Sequence, residues 1–266
     1  MWAVQTLNEF IAAGWMSFAF DPAVKAWADH VLPFGRAATR DPAQAQWLRC
    51  GGTWFVGVDA LPNDADGRVS NGPALTGAAR DFIRISLQLD LPLHHAQISI
   101  CYPGYPQPSP EETPTAYQYR LKRDAAHVDG LHAEGPERRR FLQEPHAYIL
   151  GLPLGAASAD AAPLVVWPGS HHIMKRAFKA ALTSEKLENW RGIDLTAIYQ
   201  AARRDVFATC PRLEVPGSPG EAILLHRHLL HGVAPWRDGA SAESGGRTIA
   251  YFRPELPMLE QWLSAP

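Results

Sequence analysis

The chain has 266 residues, 46% of them hydrophobic, and a formal net charge of −2. That length suits one large core or two small ones, and the balanced charge gives no electrostatic basis for binding nucleic acid or an anionic membrane. Three cysteines, Cys50, Cys101 and Cys210, are odd in number and lack a C-x-x-C pair. They argue against a disulfide framework or a structural zinc cluster and suit a reducing cytoplasm. The opening residues lack the basic region and apolar run of a signal peptide, and no stretch reaches the roughly 18 apolar residues of a spanning helix. The expectation is a cytoplasmic protein.

The first ninety residues read as helices. Thr6 and Glu9 have the spacing of a capping box. Asp21-Pro22 and Asp41-Pro42 each put an N-cap acid before a proline suited to a first helical turn. Val24, Trp27, Ala28 and Val31 then share a helical face, as do Gln44, Trp47 and Leu48. Leu75, Ala79, Phe82, Ser86 and Leu89 make a longer stripe ended by Pro92. Between the helices, 53–58 reads as a strand, and the acids of 62–67 as solvated turn residues without EF-hand spacing.

From there strands dominate. Residues 97–102 alternate as a strand should, and a proline-rich loop follows. Tyr117, Tyr119, Arg123, His127 and Asp129 share strand parity, which would turn both tyrosines toward the same interior as the histidine and the acid. Lys122-Arg123-Asp124 suggests a bulge in that strand. Residues 134–144, with Arg138, Arg139 and Arg140, read as a solvated loop or helix. Apolar runs at 147–154 and 162–167 read as strands, and Ser170 as the cap of a helix through Phe178. A further helix is expected over 195–204, then strands at 221–226 and 247–253. Short strands with loops point to a sandwich or barrel.

The chemistry centres on His127-Val128-Asp129. In a strand, residues two apart face one way, so an imidazole and a carboxylate converge. With a second histidine they make the 2-His-1-carboxylate set of non-haem Fe(II) oxygenases. His226, His228 and His231 all lie near one strand end, and spacing does not choose among them.

Three segments in order, His127-Val128-Asp129, then residues 165–171 with Pro168-Gly169-Ser170-His171, then Leu229-Leu230-His231-Gly232 with a following arginine strand, resemble the phytanoyl-CoA dioxygenase-like group of Fe(II)/2-oxoglutarate oxygenases. The resemblance implies a mainly β fold with flanking helices and a double-stranded β-helix core, the jelly-roll of the cupins. It implies one domain over 1–266, with a mostly helical layer over 1–92, the core over 93–255 and a helical insertion over 170–205. It implies His127, Asp129 and His231 as ligands of Fe(II), and 2-oxoglutarate and O2 as cosubstrates. An arginine would hold the distal carboxylate of 2-oxoglutarate, because a planar guanidinium meets a carboxylate bidentately. Arg247 takes that role from its strand context, although it lies sixteen residues after His231 (247 − 231), later than the family's usual spacing. Arg237 is nearer but off the strand, and Arg253 shares parity with Arg247. Tyr119 would join Arg247 at the cosubstrate, and Tyr117, Trp167, His171 and Trp236 would line a substrate pocket.

The implied reaction is hydroxylation of an unactivated carbon of a small molecule, with release of succinate and CO2. A jelly-roll that binds a ligand without turning it over is the alternative, as is a metal enzyme that does not use 2-oxoglutarate; fold alone does not separate them.

Overall fold

The computed structural model describes residues 2–110 and 112–266. Helix α1 (Trp2–Ala13) runs into strand β1 (Trp15–Phe18), so Thr6 lies inside a helix and the expected capping box does not form. Asp21 caps α2 (Pro22–Ala38) as expected: its carboxylate accepts from the Ala23 amide at 2.8 Å, and Pro22 sits where a missing amide costs nothing. Asp41 and Pro42 repeat the device on one short 3-10 segment, Pro42–Trp47. Two strands follow, β2 (Leu48–Arg49) and β3 (Trp54–Gly57). The long helix expected over 75–89 is instead α3 (Ala78–Asp81), which passes into a π-helical turn at Phe82–Ser86 before β4 (Gln97–Cys101).

The strand expected through Tyr117 and Tyr119 is a helix, α4 (Pro114–Lys122). The cause is local. The Thr113 hydroxyl accepts from the Ala116 amide at 3.2 Å and Pro114 occupies the first turn, so a capped helix starts where tyrosine parity suggested a pleat. Residues expected as a charged loop or helix form the hairpin of β5 (Leu131–Glu134) and β6 (Arg139–Leu142). Strands β7 (Tyr148–Pro153) and β8 (Leu164–Val166) follow, then α5 (Ser170–Leu182). Ser170 does not cap this helix, because its hydroxyl accepts from the Leu230 amide at 2.9 Å. The chain ends with α6 (Thr196–Thr209), β9 (Leu213–Val215), β10 (Ala222–His226), β11 (His231–Val233), β12 (Arg247–Phe252) and α7 (Gln261–Ser264).

Seven strands form one antiparallel sheet in the order β1-β10-β7-β12-β4-β3-β2, and β11, β8 and β9 form a second. Ile149, Ile223 and Leu225 of the large sheet meet Leu164, Val166 and Val215 of the small one. The two sheets therefore pack face to face without closing into a barrel, giving a jelly-roll core. The opposite face of the large sheet, with Ile98, Leu150, Leu224 and Phe252, joins the main cluster under the helices, where Trp27 and Val31 of α2 are buried. The N-terminal 92 residues thus supply β1, β2 and β3 at both edges of the large sheet as well as helices.

Candidate metal centre

His127 and His231 are paired by backbone. The His127 amide donates to the His231 carbonyl at 2.8 Å, and the His231 amide returns the bond at 3.0 Å. Directly opposed residues in such a bridge send their side chains to one face, and the two rings lie with centroids 4.6 Å apart. Asp129 adds its carboxylate, with Oδ1 3.1 Å from His127 Nε2 and 3.8 Å from His231 Nε2. One ligand atom from each of the three lies within 4.8 Å of the others.

The approach depends on the chain just before. Asp124 and Ala125 take left-handed backbone angles, φ +54° and +52°, which turn the chain out of α4. Alanine pays for that conformation in sterics, so something else must hold it. Arg212 grips both carboxylate oxygens of buried Asp124, from Nε and Nη2, at 2.7 Å each. The Asp124 carbonyl in turn accepts from the Val233 amide at 2.8 Å. At Gly232 a Cβ would lie 2.2 Å from that carbonyl oxygen. Gly232 is thus required by close backbone approach.

The tautomers follow from the partners. His127 Nδ1 lies 2.9 Å from the Ala125 carbonyl, and His231 Nδ1 lies 2.9 Å from the Leu229 carbonyl. A carbonyl only accepts, so each Nδ1 carries a hydrogen, and Nε2, which faces Asp129, is the nitrogen left to coordinate a cation. Burial, helped by nearby His127, pulls the His231 imidazole down to about 4, so it is neutral near pH 7. Burial opposes ionisation of Asp129, yet the Arg253 guanidinium holds its carboxyl well below the usual range. Arg253 Nη1 stands 3.3 Å from Asp129 Oδ2. Two lone pairs and a carboxylate aimed at one point repel one another unless a cation sits between them. The donor set therefore fits a divalent metal.

A cavity of about 240 Å³ opens on these ligands, walled by Trp54, Val56, Ser99, Leu164, Tyr251 and Arg253 among others. Trp54 Nε1 donates to Ser99 Oγ at 3.0 Å across that wall. Sequence reasoning did not single out Trp54 or Ser99, although both lie on expected strands with the right parity to face inward. Arg212 carried no local signal at all, being 88 residues from the aspartate it holds.

Arg247 is buried between the sheets, 4.0 Å from Cys101 Sγ and beside Tyr251 in one recess. It lines a small recess that shares Leu164 and Tyr251 with the metal cavity. Tyr119, expected at the cosubstrate, instead donates to the Ala126 carbonyl at 2.8 Å and packs against Phe207 and Arg203. It braces the ligand strand from outside, because α4 replaces the strand that would have turned it inward. Tyr117, on the same helix, reaches the Pro106 carbonyl at 3.4 Å. Trp167 is buried on the helical side of its sheet, away from the metal cavity, and packs on Phe207 with centroids 5.5 Å apart. His171 meets the Ile11 carbonyl at 2.8 Å and stacks toward His226, away from the metal cavity. Trp236 packs in the cluster of Cys101 and Tyr105, behind the wall residues Trp54 and Val233. His226 and His228 point into the helical side, where His228 meets Phe178 and Trp262. Arg237 is a surface residue paired with Asp160 and Glu214.

The family described as Phytanoyl-CoA dioxygenase (PhyH) matches residues 106–241, which is 136 of the 266 residues (241 − 106 + 1) and includes both histidines and the aspartate. The chain belongs to the phytanoyl-CoA dioxygenase family. Membership places it among the Fe(II)/2-oxoglutarate-dependent oxygenases. A search of curated proteins returned no significant match. Among solved structures, similarity extends to the epimerase SnoN in complex with Fe3+, alpha ketoglutarate and nogalamycin RO, at 12% identity and a TM-score of 0.53, over 94% of this chain and 83% of that one. A second structure of SnoN, described as a non-heme alpha ketoglutarate dependent epimerase from nogalamycin biosynthesis, matches at 13% identity and a TM-score of 0.50, over 95% and 83%. EctD from S. alaskensis with bound Fe matches at 16% identity and a TM-score of 0.48, over 94% and 75%. At these identities the SnoN likeness establishes a shared fold.

Proposed function

We propose that this member of the family hydroxylates an unactivated carbon of a small molecule, with Fe(II) held by His127, Asp129 and His231 and with 2-oxoglutarate as cosubstrate. The observation that carries the reading is the convergence of two Nε2 lone pairs and one carboxylate on a cavity between the sheets. Three ligands on one side leave the remaining coordination positions open to cosubstrate and oxygen. When bound, the metal supplies oxygen activation coupled to oxidative decarboxylation of 2-oxoglutarate to succinate and CO2.

The chain's own residues do the rest. The Ala125 and Leu229 carbonyls fix the imidazole tautomers, so Nε2 stays free to coordinate. Arg253 keeps the Asp129 carboxylate ionised and oriented. Arg247 has no ion-pair partner among the described residues, and the neighbouring Cys101 thiol does not neutralise it, since burial pushes that thiol up to about 12. A buried guanidinium without an anion suits the distal carboxylate of the cosubstrate, with Tyr251 alongside. Val56, Ile149 and Leu164 give the cavity apolar walls that limit water at the reacting centre. The test is succinate release from 2-oxoglutarate by the Fe(II)-loaded protein during a metabolite screen. Substrate-dependent succinate accompanied by a product one oxygen heavier supports hydroxylation. Succinate with a desaturated or epimerised product refutes hydroxylation while keeping the oxygenase.

A further inference from the structure

The metal cavity, about 240 Å³, continues outward. A second cavity of about 490 Å³ shares Val58 and Arg253 with it. Its walls are residues 58–59 after β3, 92–95 before β4, 144 and 146 before β7 and 253–255 after β12. Those four strands are consecutive neighbours in the large sheet, so their ends form one continuous rim beside Asp129.

The rim is acidic. Asp59, Glu144 and Glu255 line it, and its one guanidinium, Arg253, is turned to Asp129. Glu144 is held ionised by its hydrogen bond to His146, which outweighs burial and brings the carboxyl down to about 2. His94 also lines the rim. Its Nε2 faces the Asp59 carboxylate at 3.9 Å, while its buried Nδ1 has no partner among the described residues. Burial pulls this imidazole down to about 4, so it is neutral and one ring nitrogen bears a lone pair. No tryptophan, tyrosine or phenylalanine lines the cavity, which leaves no aromatic cage for a quaternary ammonium.

We propose that this outer cavity is the substrate site, and that it takes a small molecule bearing a primary or secondary amine, cationic at neutral pH, rather than an acyl-CoA thioester. The proposal rests on the oxygenase reading for its chemistry but not for binding. Carboxylates at the rim attract an ammonium group and repel the phosphates of coenzyme A.

The experiment titrates 1,4-diaminobutane, 1,4-butanediol and coenzyme A into the full chain, metal-free and loaded with Mn(II) and 2-oxoglutarate. Calorimetry gives the affinity, and NMR of the imidazole rings gives the place. The diamine is expected to saturate a site and move the His94 and His146 signals, with the diol weaker and coenzyme A silent. The double variant Asp59→Asn, Glu255→Gln alters two exposed side chains, and asparagine keeps the left-handed backbone at position 59 (φ +53°). It should weaken the diamine about tenfold or more, the loss of at least one charge-assisted contact. Equal binding of the diol or coenzyme A, or a double variant that binds the diamine undiminished, overturns the proposal. Metal and 2-oxoglutarate loading are measured on the same samples. A protein that loads both but prefers the anion defeats the substrate class alone, and one that binds the diamine but no metal defeats the oxygenase reading alone.

Discussion

Replacing Arg247 by alanine removes a guanidinium that is 7% exposed and has no ion-pair partner among the described residues. If it binds the distal carboxylate of 2-oxoglutarate, its loss leaves that charge unpaired between two apolar sheets. Truncating one side of such a pair costs about 2–5 kcal/mol, so cosubstrate affinity should fall by about 30- to 5,000-fold. Calorimetric titration of 2-oxoglutarate into Mn(II)-loaded protein reads this directly, with no turnover required. Metal affinity should hardly change, because Arg247 touches none of the three ligands. Arg247→Met, which keeps most of the volume, separates lost charge from a lost fold. Arg247→Lys should recover only part of the affinity, since lysine lacks the planar fork. Arg237→Ala, whose guanidinium faces Asp160 and Glu214 on the surface, should be neutral. If Arg247→Ala and Arg247→Met bind 2-oxoglutarate like the parent, the reasoning fails. The outcome in which only Arg253→Ala loses it would move the role to the arginine beside Asp129.

Gly232→Ala should destabilise the protein by about 1–3 kcal/mol, the usual cost of overpacking, and weaken metal binding with it. A Cβ there meets backbone at 2.2 Å, and chemical denaturation with a metal titration checks both effects. The buried cluster of His171, His226 and His228 should make stability fall with acid. Burial pulls His171 down to about 4 and the other two well below the ordinary value. These folded pKa values lie below the unfolded value of roughly 6.5, so the unfolded chain takes up protons first and stability is lost as pH drops from about 6.5 toward 4. Thermal melting across that range should show the loss, and His228→Phe should flatten it; a profile unchanged by that variant would show that the slope comes from other groups.

What the sequence disclosed depended on whether its signals were local. The H-x-D spacing was legible because two residues in extended backbone must share a face, and the bridge to His231 completes the set. The caps at Asp21 and Asp41 were legible because the bond they make lies two residues away. Thr113-Pro114 carried the same kind of cap, yet tyrosine parity argued for a strand and the local bond won. Trp167 shows a different obstacle. Residues 164–167 are apolar on both faces, since Leu164 and Val166 meet the other sheet while Val165 and Trp167 meet the helices. A strand buried on both sides does not reveal which side is the cavity. His226 and His228 were undecidable for the same reason. The choice between Arg247 and Arg253 is harder still, because both share parity on one strand and only the third dimension puts Arg253 against Asp129.

The central claim is that His127, Asp129 and His231 form a working Fe(II) centre. The most direct measurement loads the purified protein anaerobically with Fe(II), counts bound metal, then adds 2-oxoglutarate and oxygen and follows succinate, beside His127→Ala and Asp129→Ala. The account predicts one Fe(II) per chain and iron-dependent succinate in the parent, with sharply weakened metal binding in His127→Ala and succinate lost in both variants. A parent that binds no iron after careful reconstitution, or variants that make succinate as fast as the parent, would contradict it.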